Sequence, residues 1–379
     1  MKLSKTRLIT IGAAVALVAV AALLLLQRPA PSSSSPSEPQ LPEAVVLLQG
    51  SGATFPMEQI LAWASRVRQA HPWLRVEYAG GGSGKGQSDF LQGVVDFACS
   101  DVPLKTVDWE KARAQFGGVY QLPIILGGVA VVYNIPEIPA GVNLRLSAEV
   151  LADILLGKIE YWDDARIKEL NPGVSLPHAK ITFVHRSDAS GTTEVFTTFL
   201  SIYSAEWKEK VGAGKTVKWP LDELGRGVGA PGNPGVAQAV KSTPYSIGYV
   251  ELAYAKGLGV AAIKNKAGNF VLPSADSIRA AAAGTTAIAD ASVNLAELKI
   301  LESILRSDRP DAYPIASPSY MYVRPPAAYT PEKRKAIAAF LEYIFSKGQS
   351  PESVVEGYVP VPESWRQLGL EVAAEFKKQ

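Results

Sequence analysis

The sequence predicts an α/β protein. Short apolar, β-branched runs alternate with helical periodicities along most of the 379 residues. Four such runs end in a turn of small residues, and three of those turns open a helix bearing hydroxyl groups. A composition of 47% hydrophobic and 20% charged residues supplies a full core rather than a disordered chain. The length suffices for two domains or one large one.

The chain begins with a basic start, residues 1–7, containing Lys2, Lys5 and Arg7. An apolar run over residues 8–26 follows. Its basic flank fits an export signal, and its length just spans a bilayer as a helix. Ala19-Val20-Ala21 offers a small-residue cleavage site, but four leucines follow it closely, so an uncleaved membrane anchor is preferred over a cleaved signal peptide. Residues 27–44 are rich in proline and serine and read as an extended tether outside the cytoplasmic membrane.

The globular part is expected to open with a strand over residues 45–48. It runs into Gly50-Ser51-Gly52-Ala53-Thr54-Phe55-Pro56, with Pro56 at the first position of a helix carrying Ile60, Leu61, Ala64 and Val67 on one face. A strand over residues 74–78 ends in a glycine-rich turn with Ser83 at the cap of a short helix. Neither nucleotide signature fits this turn, because Ala79 and Gly86 break the P-loop and Lys85 breaks the dinucleotide pattern. A third strand over residues 94–98 leads to Ser100-Asp101-Val102-Pro103. A carboxylate at such a turn would repel a bound anion unless the anion brings its own proton.

Further on, residues 122–134 are apolar around Gly127-Gly128. Helices are expected over 147–156 and 165–170, and the fourth strand over 181–185. The segment Arg186-Ser187-Asp188-Ala189-Ser190-Gly191-Thr192-Thr193 then opens a helix near Ser190. A helix start exposes unpartnered N–H groups at the positive end of its dipole. Hydroxyls on Ser190, Thr192 and Thr193 add donors, and the guanidinium fork of Arg186 suits a tetrahedral oxyanion. Residues 225–235 read as loop, 236–240 as helix, 246–250 as strand, 280–283 and 295–305 as helical, 320–323 as strand and 331–345 as an amphipathic helix. Tyr161, Trp162 and Trp207 read as packing residues.

Several classes drop out. A net charge of +2 without a basic, aromatic-laced stripe argues against nucleic acid. Cys99, alone and in an apolar run, forms no intrachain disulfide and reads as a buried residue. His71, His178 and His185 have no metal-ligand spacing, so no metal or cofactor is expected.

Four stretches in order, Gly52-Ala53-Thr54-Phe55-Pro56, Tyr78-Ala79-Gly80-Gly81-Gly82-Ser83-Gly84, Val95 through Leu104, and Arg186 through Thr193, closely resemble the phosphate-binding proteins of the phosphate ABC importer. Gly232-Asn233-Pro234-Gly235-Val236, Ser246-Ile247-Gly248-Tyr249-Val250-Glu251 and Tyr313-Pro314-Ile315 support the match, which covers roughly residues 48–350. The resemblance implies a two-domain periplasmic-binding-protein-like (type II) fold with a hinge and two crossovers, near Leu126 and Tyr313. Lobe I would comprise residues 45–125 and 315–379, lobe II residues 126–314. It further implies that Thr54, Phe55, Ser83 and Asp101 bind phosphate from the first lobe. Arg186, Ser190, Gly191 and Thr192 would bind it from the second, with Asp188 holding the fork of Arg186. The partners it implies are inorganic phosphate and the permease subunits of an ABC transporter, with the protein a monomer outside the membrane. Ala189 stands where the family usually has glycine, and Lys85 places an extra cation near Ser83. A receptor for sulfate or molybdate remains the alternative, disfavoured by Asp101. A phosphatase or serine hydrolase finds no G-x-S-x-G, no placed base and no metal cluster.

Overall fold

The computed structural model describes residues 44–139 and 141–378; the expected membrane segment and tether lie outside them. Among the described residues no helix is long and apolar enough to cross a membrane.

In chain order the strands are β1 (Val46–Gly52), β2 (Leu74–Gly80), β3 (Phe97–Ser100), β4 (Tyr120–Asn134), β5 (Arg145–Leu146), β6 (Thr182–Arg186), β7 (Gly227–Ala230), β8 (Ser246–Glu251), β9 (Gly259–Val260), β10 (Ala262–Lys264), β11 (Phe270–Val271) and β12 (Ala316–Val323). The helices that position the site are α1 (Met57–Ala70), α2 (Ser83–Leu91), α3 (Gly191–Tyr203) and α4 (Gly232–Ser242). Near the C-terminus follow α5 (Pro331–Phe345) and α6 (Glu363–Glu375).

A single sheet path runs β2-β1-β3-β12-β4-β8-β6-β7, with β9 attached to β4; β11, β10 and β5 form a small separate sheet. β1 is parallel to β2 and β3, and β6 is parallel to β7 and β8. The two parallel sets are joined by antiparallel pairings through β12 and the fifteen-residue β4. β4 changes partner within itself: Tyr120 to Gly128 pair with β12, and Val129 to Asn134 pair with β8. Nearly every β4 residue is buried, as a strand covered on both faces requires.

Four tryptophans, Trp63, Trp162, Trp207 and Trp365, are fully buried in the core. Each indole N–H needs a partner there. Trp63 donates to the Gly348 carbonyl at 2.8 Å, Trp162 to Tyr245 at 2.9 Å and Trp207 to Gly212 at 2.9 Å. Trp162 and Trp207 thus pack, while Tyr161 stacks on His178 with ring centroids 4.3 Å apart. Cys99 is buried. The C-terminal segment is tied to the first parallel set: Gln59 on α1 donates to the Ser353 carbonyl at 2.9 Å and accepts from the Val355 N–H at 2.7 Å.

Several boundaries depart from the sequence expectations. β1 continues through Gly50-Ser51-Gly52 instead of stopping at Leu48, because those glycines pair with β2 and β3. β3 begins at Phe97, not Val94, whose side chain is 61% exposed. Pro56 is the residue before α1, not its first member. The glycine-rich stretch 225–235 is not all loop: it contains β7 and the start of α4. The expected helix over 295–305 is broken at Lys299, which adopts a left-handed conformation with φ of 51°.

Candidate functional site

The carboxyl ends of parallel strands are where open α/β sheets bind ligands. Here five such ends face one another: β1 leads to Thr54, β2 to Ser83, β3 to Asp101, β6 to Arg186 and β7 to Asn233. Thr54, Phe55, Ser83, Asp101, Arg186, Ser190, Gly191 and Thr192 are all buried.

Ser83 is the first residue of α2, and the cap position belongs to Gly82, which holds φ of +89°. A side chain at Gly82 would be strained, and its Cβ would stand 2.7 Å from the Ala189 carbonyl oxygen. The Ser83 hydroxyl is thereby released from capping. Its oxygen accepts from the Asp101 N–H at 3.2 Å and lies 3.4 Å from Asp101 Oδ2. Lys85 points elsewhere: it pairs with Asp89 at the half-exposed surface of α2.

Asp101 is 1% exposed. Its Oδ1 accepts from the Ser319 hydroxyl of β12 at 2.8 Å. Burial pushes its pKa up to about 7; the hydrogen bond from Ser319, the charge of Arg186 and the Ser83 hydroxyl oppose that rise, and the charge of Asp188 adds to it. The carboxylate is therefore an acceptor kept on the edge of protonation and shut off from solvent.

Across from it, Arg186 ends β6. Its Nε donates to Asp188 Oδ1 at 2.8 Å and its Nη2 to Asp188 Oδ2 at 2.5 Å, a two-pronged pairing that fixes the guanidinium plane. Nη1 is left to reach Thr192 Oγ1 at 3.3 Å. Burial raises the Asp188 carboxyl, but the hydrogen bonds and charge of Arg186, with the Gly232 N–H, outweigh it and hold the group below its ordinary value. Ser190 caps α3, its side chain accepting from the Thr193 N–H at 3.1 Å. The N–H groups of Gly191 and Thr192 stand in the first turn of α3, where no helical partner exists.

Gly191 closes against Asp101 and Ser83. A Cβ at Gly191 would lie 2.6 Å from Asp101 Oδ2 and closer still to Ser83 Oγ. The Gly84 N–H donates to the Ala189 carbonyl at 2.9 Å, so the residue that departs from the family pattern meets the α2 turn through its backbone.

Sequence reasoning missed three participants. Ser319 anchors Asp101 from a strand more than 200 residues away, and no local signal marks it. Asn233 sits in a stretch noted only as support, yet its N–H and Nδ2 both donate to Thr54 Oγ1 at 3.0 Å. Lys215 donates to Gln87 Oε1 from beside α3, and its carbonyl accepts from the Ser190 N–H at 2.9 Å. Among the described residues no group of three or more His, Cys, Asp or Glu could hold a metal ion.

The site is thus rich in donors from two opposed sets of strand ends, with the desolvated carboxylate of Asp101 among them and that of Glu251, also fully buried, close enough to feel its charge. A family model described as a PBP superfamily domain matches residues 30–347. The phosphate-binding protein PstS of Methanocaldococcus jannaschii is 46% identical over 354 residues, covering 91% of this chain and 90% of that protein. The PstS of Pasteurella multocida is 43% identical over 319 residues, covering 83% and 86%. Among solved structures, a high affinity periplasmic phosphate-binding protein bound with phosphate superposes with a TM-score of 0.65 at 22% identity, over 85% of this chain and 92% of that one, which speaks for the fold. With that extent of identity to two PstS proteins and a superfamily match across most of its length, this chain belongs to the PstS phosphate-binding-protein family of the PBP superfamily.

Proposed function

We propose that the chain is a receptor outside the cytoplasmic membrane that closes around inorganic phosphate and delivers it to an ABC importer. The observation that carries this reading is the buried Asp101 facing Arg186 and the N-terminus of α3. Thr54, Phe55, Ser83, Asp101, Arg186, Ser190, Gly191 and Thr192 form the seat, and Asp188 holds Arg186 in register. Near neutral pH phosphate keeps at least one proton and sulfate none. Asp101 accepts that proton in a hydrogen bond, and against sulfate it presents a like charge. A site built for a ligand hydroxyl rejects the analogue lacking it by roughly 10⁴-fold.

Two lobes, residues 45–125 with 315–379 and residues 126–314, hinge where β4 exchanges β12 for β8. The chain acts by binding rather than catalysis, as a monomer tethered by its N-terminal segment. The partner change inside β4 supports the hinge, and the relatives' shared name as binding proteins supports binding over catalysis. The reading is tested by calorimetric titration of Asp101→Asn against phosphate and sulfate. The variant should bind sulfate far better relative to phosphate than the wild type does, and an unchanged ratio would remove Asp101 from its role.

A further inference from the structure

Asn233 lies at the start of α4, fully buried, between the two opposed sets of strand ends. Its side-chain oxygen is committed, because Asn233 Oδ1 accepts from the Glu251 N–H at 2.9 Å. A backbone N–H can face only an acceptor, so the amide cannot be flipped and Nδ2 must point the other way. There it donates to Thr54 Oγ1 at 3.0 Å and to Thr192 Oγ1 at 3.4 Å. The Asn233 N–H gives Thr54 Oγ1 a second donor at 3.0 Å, and Arg186 Nη1 gives Thr192 Oγ1 a second donor at 3.3 Å.

A hydroxyl has one proton and two acceptor sites. Both sites are filled on Thr54, and both are filled on Thr192. Among the described residues neither hydroxyl donates a hydrogen bond. Each proton is therefore forced away from Asn233 and Arg186. We propose that Asn233 is a positioning residue that converts two hydroxyls, one from each side of the pocket, into obligate donors aimed at the bound anion. Thr54 and Thr192 would otherwise be free to rotate and present lone pairs to phosphate. Because Thr54 follows β1 while Asn233 and Thr192 start helices of the other set, the same contact sets proton direction only when the two sides have met. This rests on the phosphate reading of the site and adds what fixes its polarity.

The test is a set of phosphate titrations on the intact chain, with thermal unfolding of each variant as a control. Asn233→Ala should weaken phosphate about tenfold, the worth of one or two well-placed hydrogen bonds. Asn233→Asp keeps the bond from the Glu251 N–H and the side-chain volume but offers Thr54 and Thr192 an acceptor, so it should weaken binding more than Asn233→Ala. In a Thr54→Val, Thr192→Val background the effect of Asn233→Ala should vanish, since there are no protons left to direct. A folded Asn233→Ala variant that binds within twofold of wild type would overturn the proposal. So would an alanine effect that persists undiminished in the double-valine background. A wild type that binds no phosphate would bring down the functional reading and this inference together, whereas a phosphate-binding wild type with unaffected Asn233 variants brings down this inference alone.

Discussion

Asp101 holds its proton near neutrality because its neighbours do not fully replace the water it has lost. Ser319, Ser83 and Arg186 recover only part of that loss, and its pKa rests at about 7. A carboxyl whose folded pKa exceeds its unfolded value contributes stability that is full below the unfolded value and is lost as pH rises through about 7. The same sign governs selectivity. Sulfate brings no proton and can be held only when Asp101 is protonated, so its affinity should fall as pH rises past neutrality, by up to about tenfold per pH unit. Phosphate supplies the proton itself. The ratio of phosphate to sulfate affinity should therefore widen between pH 6 and pH 8 in competition titrations, and a ratio constant across that range would contradict the assignment.

At the scale of elements, the site is made by turns and helix starts, and these were legible to different depths. Ser190 as the cap of α3 could be read directly, because a hydroxyl residue preceding an apolar period has one common meaning. Ser83 lies one residue inside its helix, not at the cap. The cap there depends on the positive φ of Gly82, and in a run of three glycines sequence does not say which one bends. Asn233 looks like loop in the sequence because Gly232, Pro234 and Gly235 surround it; its helix is held by tertiary contacts, not by propensity. Gly191 yields a prediction that belongs to this scale. Gly191→Ala suits a first helical position, so helix propensity itself costs nothing. Its methyl would nonetheless be forced against Asp101 and Ser83, an overpacking worth about 1–3 kcal/mol, and phosphate affinity should drop by roughly 10- to 100-fold. Calorimetry with a parallel melting curve checks it; a loss of stability without loss of affinity would be the contrary result.

For the molecule as a whole, the alternation of strand and helix was enough to name the fold class, and motif order was enough to name the family. Long-range pairing was not visible. Residues 122–134 could be read as apolar, but not as one strand that carries β12 on its first half and β8 on its second. That sharing is a property of partners more than a hundred residues away, as is the placement of Ser319 beneath Asp101. The consequence is a pocket whose walls come from both ends of the path β2-β1-β3-β12-β4-β8-β6-β7, so a ligand can hold the walls together only by satisfying both. The most direct measurement is calorimetric titration of phosphate and of sulfate into the phosphate-stripped wild-type chain at pH 8. Phosphate should bind, and sulfate should be weaker by at least the roughly tenfold that a carboxyl titrating at about 7 imposes one pH unit above that value. Sulfate binding as tight as that of phosphate would mean that the buried carboxylate does not demand a protonated guest.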